Sequence, residues 1–548
     1  MTQTIQPTHP NTFRVGINPK LLEKARNFFN ASLTDILNEL LQNARRAGST
    51  HVAIAFNPTT MTMTVEDNGS GIFRHGIAID LGGSGWDGAM QASEDPAGCG
   101  LFSLASRTCI IESWGKKIAL NERKFCGQED VAIAQGDDIQ GTRISFSLTE
   151  QEARNYQAIA QSCALYYPLP VLVDGTELPR QSFLKDSLHQ HLWAGLTLGV
   201  VEHHWKNQIN FHGLVIDTHL PKVEWHWKRT LTVWIDVSDC PDLQLVLPAR
   251  KEVVRNQFFE DIQRECHQAI YQYIALQCGN GIPHQLPYQD WLRAKELGIE
   301  LPEAARTLSA YAPRTANPDD RESAEEVSVA ERAIVFDVDL EPLDAQAFWR
   351  GFENAGLPYC LVAAWDKYRG YSWYEQLPKL SDVTFQIQLG ERVLTPEEAA
   401  TEAGHLRPDG IIVTATIAHS DGTSETISFT TDVAFYVEEV FYWSEMECVT
   451  LFVTKGSTIE VECLVELLKQ SFFYPSDDSS SDSWTTQEED FTEEATSRAH
   501  KILSCEEVAR QERIRLVVDR HLRWLLPRDR ETAIRVMADG GVAVEFRE

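Results

Sequence analysis

The apolar positions first form a pattern at residues 33–47. Leu33, Ile36, Leu37, Leu40, Leu41 and Ala44 recur at helical spacing in LTDILNELLQNARRA and give one buried stripe. Ser32 or Thr34 supplies the cap, and Gly48 the stop. An earlier helix is expected from Pro19, which suits a first turn, to about Asn30. The period then drops to two. Val52, Ile54 and Phe56 alternate in HVAIAF, and Met61, Met63 and Val65 in MTMTVED, so the two read as a hairpin turning at NPTT. Residues 69–100 are rich in glycine. They lead to an expected helix at LFSLASR and strands at TCIIESW and GTRISFSL. A further pair, PVLVDGTELP, turns at Asp174-Gly175.

Beyond that point the pattern is coarser. Residues 190–280 read as several strands and then a helix from about Glu252 to Leu276. Residues 311–332 are rich in Pro, Asp, Glu, Ser and Ala, as a linker is. Residues 333–475 read as a separate α/β domain with many aromatics. Ser476 to Glu494 holds eight acidic residues and no Lys or Arg, a composition expected to stay solvated and disordered. Residues 496–548 read as helices with a short terminal strand. The expected organisation is α+β. It runs 1–185, 186–280, a linker over 281–332, 333–475, an acidic linker over 476–495, and a helical segment over 496–548.

Composition narrows the classes. The chain has 548 residues, 43% hydrophobic and 24% charged, enough for several domains each with its own core. A formal charge of -31 repels polyanions, which disfavours nucleic acid as the main partner. Eleven cysteines are scattered, with no C-x-x-C pair and no zinc spacing. An odd count and an N-terminus without signal-peptide shape fit thiols in a reducing cytoplasm. The apolar runs fall far below the ~18 residues of a membrane span.

Four short motifs carry candidate chemistry. Glu39 and Asn43, at i and i+4, share one face of the helix at 33–47, turned from its leucine stripe. A carboxylate beside an amide oxygen suits a water-activating base next to a magnesium ligand. In EDNGSGI, Asp67 ends a strand and can accept from an adenine amino group, while Gly69 and Gly71 let backbone approach a ligand. In DPAGCGLFSLA, Gly98 and Gly100 precede the expected helix, whose first N–H groups attract phosphate. Upstream, LGGSGWDG has the glycine content of a mobile lid. Thr142, at a strand start, can offer its hydroxyl beside Asp67. Taken singly, each has a plain reading: a solvated helix face, a D-N-G turn, a floppy loop, a strand threonine.

In this order the four motifs resemble those of the Bergerat-fold, or GHKL, ATPases. That superfamily includes gyrase B subunits, large heat-shock chaperones, MutL, MORC proteins and histidine kinases. The resemblance covers residues 15–150 or so. It implies an α/β sandwich with helices on one face of a mixed sheet, binding ATP or ADP with magnesium. Glu39 would then polarise the attacking water and Asn43 would coordinate the metal. Asp67 would hold adenine, and Thr142 the same adenine or the water beside Asp67, with Gly69, Gly71 and Ile72 shaping the pocket. Gly98, Cys99, Gly100, Leu101 and Phe102 would hold the phosphates, and Gly83 and Ser84 would lie in the lid. No Walker-type G-x-x-x-x-G-K-[ST] occurs.

The histidine-kinase branch fits poorly, since only His9 precedes these motifs and Pro10 follows it. The other branches place a transducer-like domain next, whose basic residue reaches the γ-phosphate. Arg250, and after it Lys251, stand at such a junction in LQLVLPARKEVV. The same likeness implies a homodimer on ATP binding, with residues 1–18 as a possible exchanged arm. The later half resembles no named family. Trp349, Trp365, Trp373 and Tyr374 read as core or as a binding face, and a protein partner is expected through 333–548. The resulting expectation is a slow magnesium-dependent ATPase that drives the later half. Its alternatives are a non-catalytic nucleotide-gated switch or scaffold and, less favoured, a DNA-associated clamp.

Overall fold

The computed structural model describes residues 31–73, 76, 100–202, 207–226, 228–246, 252–313, 322–328, 332–402, 407–437, 449–473, 475–476, 478 and 481–547. The chain divides into two units, Met1–Glu303 and Ala304–Glu548.

In the first unit, Ser32 is the cap that starts helix α1, Leu33–Arg46. Its hydroxyl accepts from the Asp35 amide, and the Asp35 carboxylate accepts from the Ser32 amide at 3.1 Å, a reciprocal box that fixes the first turn. Gly48, at φ +70°, ends the helix. Strands β1 (Val52–Asn57) and β2 (Thr62–Asp67) pair antiparallel, with Val52 opposite Asp67. Then come β3 (Cys109–Ser113), β4 (Lys116–Leu120), β5 (Ile133–Gln135), β6 (Thr142–Ser147), helix α2 (Glu150–Ala164), β7 (Val171–Val173) and β8 (Thr176–Glu177). Their sheet has the order β5-β4-β3-β6-β2-β1-β7-β8 and is mixed, since β1 runs parallel to β7.

The leucine stripe of α1 and Ala160, Cys163 and Ala164 of α2 share one core with Val52, Ile54, Met63, Val65, Ile111, Ile144 and Phe146 of the sheet. Each such burial is worth about 1.5–3 kcal/mol for a large side chain. A long helix is thus pinned by its apolar face, and its Glu39–Asn43 side is left to meet loops.

The expected helix at LFSLASR is a five-residue 3-10 turn, Gly100–Leu104. Few residues separate the glycine-rich stretch from β3, too few to repay helix nucleation. The strands β4 and β5 and the helix α2 went unread, although Thr149 and Glu152 form a capping box that signals α2.

A second sheet follows, from β9 (His189–Trp193), β10 (Leu196–Glu202), β11 (Asn207–Phe211), β12 (Leu214–Thr218), β13 (Val223–His226) and β14 (Arg229–Val237). Its order is β12-β11-β14-β10-β9, with β13 beside β14. Helix α3 runs Gln257–Gly279 under an Asn256 cap, later than the expected start at Glu252. The cause is a local bridge: Leu245 pairs with Val253, which keeps 252–254 extended. Helix α4 is Tyr288–Glu296.

The second unit holds β15 (Thr307–Tyr311), β16 (Glu322–Ser328), β17 (Ala333–Phe336), α5 (Pro342–Asn354), β18 (Cys360–Ala363), β19 (Lys379–Leu389), β20 (Arg392–Leu394), β21 (Gly410–Ala418) and β22 (Ser424–Thr431). The sheet order is β16-β15-β18-β17-β19-β21-β22, with β20 on β19. A pair β23 (Val433–Val437) and β24 (Val449–Val453) packs with α5, α6 (Val461–Phe472) and α7 (Trp484–Leu503). Helix α8 (Glu506–Val517) and a hairpin, β25 (Glu531–Val536) and β26 (Val542–Arg547), follow.

Composition misreads two stretches here. Residues 281–332 carry α4, β15 and β16, where a linker was expected. The acidic run of 476–495 contains the first turns of α7, because Phe491, Ala495, Ala499 and Ile502 form a buried stripe that outweighs the charge. The expected terminal strand is one half of a hairpin. Trp373 and Tyr374 are buried, while Trp349 and Trp365 are half-buried. The chain is therefore of mixed α+β class, built on several mixed sheets. Among the described residues no helix is long and apolar enough to cross a membrane.

Candidate functional site

The open face of α1 presents Glu39 and Asn43 with a third residue, Arg46, three positions on from Asn43 and seven from Glu39. Arg46 donates from Nη1 to Asn43 Oδ1 at 3.2 Å and lies 4.0 Å from Glu39 Oε1. Its side chain is only 1% exposed, against 19% for Glu39. A buried guanidinium stays charged, so it must be balanced by its neighbours. The sequence reading missed Arg46, though its spacing on the helix was the signal.

Gly100 reaches the same carboxylate from the 3-10 turn. A Cβ added there would fall 2.6 Å from Glu39 Cδ and nearer still to Oε1. A side chain here would push the carboxylate aside. Leu101 is half-buried beside it. The Phe102 side chain is in the core against Phe125 at 5.5 Å, so its part in any ligand contact is through backbone.

Asp67 ends β2, and the loop after it meets α1 one helical turn beyond Asn43. The Ala47 amide donates to the Asn43 carbonyl at 2.9 Å, and the Ala47 carbonyl accepts from the Ser70 amide at 2.8 Å. This ties the glycine loop to the end of α1. Asp67 Oδ1 accepts from the Ser49 hydroxyl at 3.0 Å and from the Gly69 amide at 2.8 Å. Burial pushes the Asp67 carboxyl up from its ordinary value, against the lowering effect of Gly69, Ser49 and Thr142. Thr142 is buried and stands opposite Asp67 in the β2–β6 register.

Gly71 turns at φ +73°, and a Cβ there would meet Trp114 Nε1 at 2.6 Å and Ser113 Oγ at 2.7 Å. Ser113 accepts from the Ile72 amide at 2.9 Å and donates to the Gly141 carbonyl at 2.6 Å. Trp114 donates to the Ser70 carbonyl at 2.9 Å. Two end residues of β3 and its turn therefore clamp the loop of Gly69 to Ile72, a role no short motif announces.

Another unread link reaches the second sheet. Gln42, buried on α1, donates to the His212 carbonyl at 2.8 Å, and Tyr167 donates to the Leu41 carbonyl at 2.6 Å. The tip of the β11–β12 hairpin is thus held on the helix that carries Glu39 and Asn43.

The structure brings together Glu39, Asn43 and Gly100, and joins Asp67, Gly69, Gly71, Ile72 and Thr142 to the end of the same helix. Gly83, Ser84, Gly98, Cys99, Arg250 and Lys251 lie outside the described residues, as do the helix expected from Pro19 and the arm at 1–18. Among the described residues no group of three or more His, Cys, Asp or Glu side chains could hold a metal ion. Asn43 Oδ1 has two lone pairs, one of them already taken by Arg46, so this residue can give a metal one contact at most.

No family model matches this chain, and no curated relative matches it. Among solved structures it is similar to the ATPase region of Saccharomyces cerevisiae topoisomerase II. One such structure, bound to ICRF-187 (dexrazoxane), is 11% identical with a TM-score of 0.30, covering 40% of this chain and 77% of that one. Another is 12% identical with a TM-score of 0.30, covering 40% of this chain and 76% of that one.

Proposed function

We propose that the first unit binds ATP and hydrolyses it slowly, as a Bergerat-type ATPase whose branch is left open. The single observation behind this reading is the approach of the Gly100 backbone to the Glu39 carboxylate, across some sixty residues of sequence. A base that must hold a water against a phosphate needs such a bare backbone beside it. In this reading Glu39 accepts the proton of the attacking water. The amides from Gly98 to Phe102 face the phosphates, Gly83 and Ser84 close over them, and Arg250 or Lys251 supplies late positive charge. Asp67 accepts from the adenine amino group through the oxygen other than Oδ1, and Gly69, Gly71, Ile72 and Thr142 bound the ring. Magnesium, when bound, would shield phosphate charge, and Asn43 is the residue that would touch it.

Closure of a homodimer on ATP and a protein partner through 333–548 go with this reading. A second reading, a nucleotide-gated switch without need of turnover, is favoured by the Gln42 link from α1 to the β11–β12 hairpin. Glu39→Ala separates the two. It should lower turnover by about a hundredfold or more while ATP affinity in calorimetry barely changes. A variant that keeps its rate removes Glu39 as the base. A chain that takes up neither ATP nor ADP removes both readings.

A further inference from the structure

We infer that β25 is an interface strand, whose open edge pairs antiparallel with β25 of a second copy of this chain and joins the two hairpins into one four-stranded sheet. This contact belongs to the end of the second unit and needs no nucleotide, so it is separate from the ATP reading and from closure of a dimer on ATP.

Strands β25 and β26 make a sheet of two, so both outer edges are open among the described residues. Such a ribbon is barely stable in water by itself, and its edges offer N–H and C=O groups to another strand. The register sorts the side chains by face. Thr532 stands opposite Phe546, Ile534 opposite Val544 and Val536 opposite Val542, a face without charge. Val536, Val542, Val544 and Phe546 are between 52% and 69% exposed, so that face stays open to solvent. The other face carries Glu531, Ala533 and Arg535 of β25, opposite Arg547, Glu545 and Ala543.

The charges of β25 select its occupant. An edge guarded against its own kind carries one sign, which an identical strand repels. β25 carries both signs. Glu531 and Arg535 are exposed, and neither has an ion-pair partner among the described residues. Let Ala533 face Ala533 of the copy across a two-fold axis. Each Glu531 then meets Arg535 of the other chain, and symmetry makes the match twice. The same alignment sets Ile534 against Thr532 of the copy, so the uncharged face continues across the seam and its side chains gain cross-strand neighbours. Centring the pair on Thr532 or on Ile534 sets Ala533 against Glu531 or Arg535 and loses both matches. On β26 the match of Glu545 with Arg547 leaves an overlap of only three residues.

The test is the mass of the full chain in solution without nucleotide, by sedimentation over a concentration series up to about 100 µM, since so small an interface is weak. The wild type should be dimeric at the top of the series. Glu531→Arg and Arg535→Glu each turn both seam pairs into like charges, and each should raise the dissociation constant about tenfold or more. The two changes together restore opposite signs and should return it to within about threefold of wild type. The two single variants, mixed in equal amounts, should pair with each other for the same reason. A wild type that stays monomeric at about 100 µM overturns the inference. So do single variants that dimerise as the wild type does, a double variant no tighter than the singles, or single variants that fail to pair when mixed.

Discussion

Each unit buries a carboxylate at the edge of a strand, and the two are treated in opposite ways. In the first unit Asp67 is sunk beside Ser49 and Gly69, and its carboxyl is raised, chiefly by burial. In the second unit Asp432, between β22 and β23, is also desolvated by burial, yet its carboxyl is lowered. Arg350 grips it, with Nη2 2.9 Å from Oδ2, and Ser457 donates to the same oxygen at 2.7 Å. A carboxylate with a cation and a hydroxyl in fixed geometry is complete and serves to tie α5 to the strands. One that is desolvated with only neutral donors still gains from another donor, which is what a ligand amine would bring.

The largest effect should come from making one change in both places. Asp432→Asn leaves Arg350 with its charge and without its partner, and should destabilise the second unit by about 2–3 kcal/mol, the partial exposure of Arg350 keeping it below a fully buried pair. Asp67→Asn should leave urea stability within about 0.5 kcal/mol, since it removes a charge that burial already penalises. Its cost should fall on ATP, with affinity lower by about thirtyfold, because the amide turns the wrong way round for an adenine amino group. Urea melts and calorimetry on both variants read the contrast directly. If Asp67→Asn unfolds the chain and binds ATP normally, Asp67 is another Asp432.

A smaller effect separates site geometry from fold. Gly100→Ala would place its methyl against the end of the Glu39 side chain, a flexible group that can swing aside. Stability should fall by less than about 1 kcal/mol, while turnover falls about tenfold as the carboxylate leaves its place. Equal turnover in Gly100→Ala would mean that the closeness of Gly100 and Glu39 has no part in catalysis.

The same contrast explains what sequence reasoning could and could not reach. Helix α1 and the β1–β2 hairpin were readable because their apolar spacing, the Ser32 cap and the turn residues all agree. The pairing of Asp67 with Thr142 was anticipated only as nearness, since register depends on strands far apart in sequence. Arg46 was passed over because an arginine near a helix end is by default a solvated residue, and only packing shows it buried. Ser113 and Trp114 act through a turn whose position is set by β3 and β6 together, so no local signal marks them. In the second unit composition failed for a related reason. The acids of α7 line its open side and do not prevent a stripe such as Phe491 and Ala495 from finding a core.

The smallest effect tests whether a raised carboxyl is enough to mark a site. Asp344, in the first turn of α5, is pushed up to about 6, by burial first and then by Glu341. It resembles Asp67 in that respect, yet no glycine loop or strand end adjoins it within that helix. Its native pKa lies above the ordinary value of 3.8, so the folded chain holds the proton more tightly than the unfolded chain does. The group therefore adds nothing unfavourable below about pH 4, and its penalty grows as pH rises to about 6 and stays constant above that. Asp344→Asn should accordingly stabilise the second unit at pH 7 by about 1 kcal/mol, the lost attraction to the start of α5 offsetting the rest, and by nothing measurable at pH 4. ATP affinity should not change. Were Asp344→Asn to weaken ATP binding as Asp67→Asn does, a raised carboxyl would be the whole signal and the arrangement around Asp67 would explain nothing.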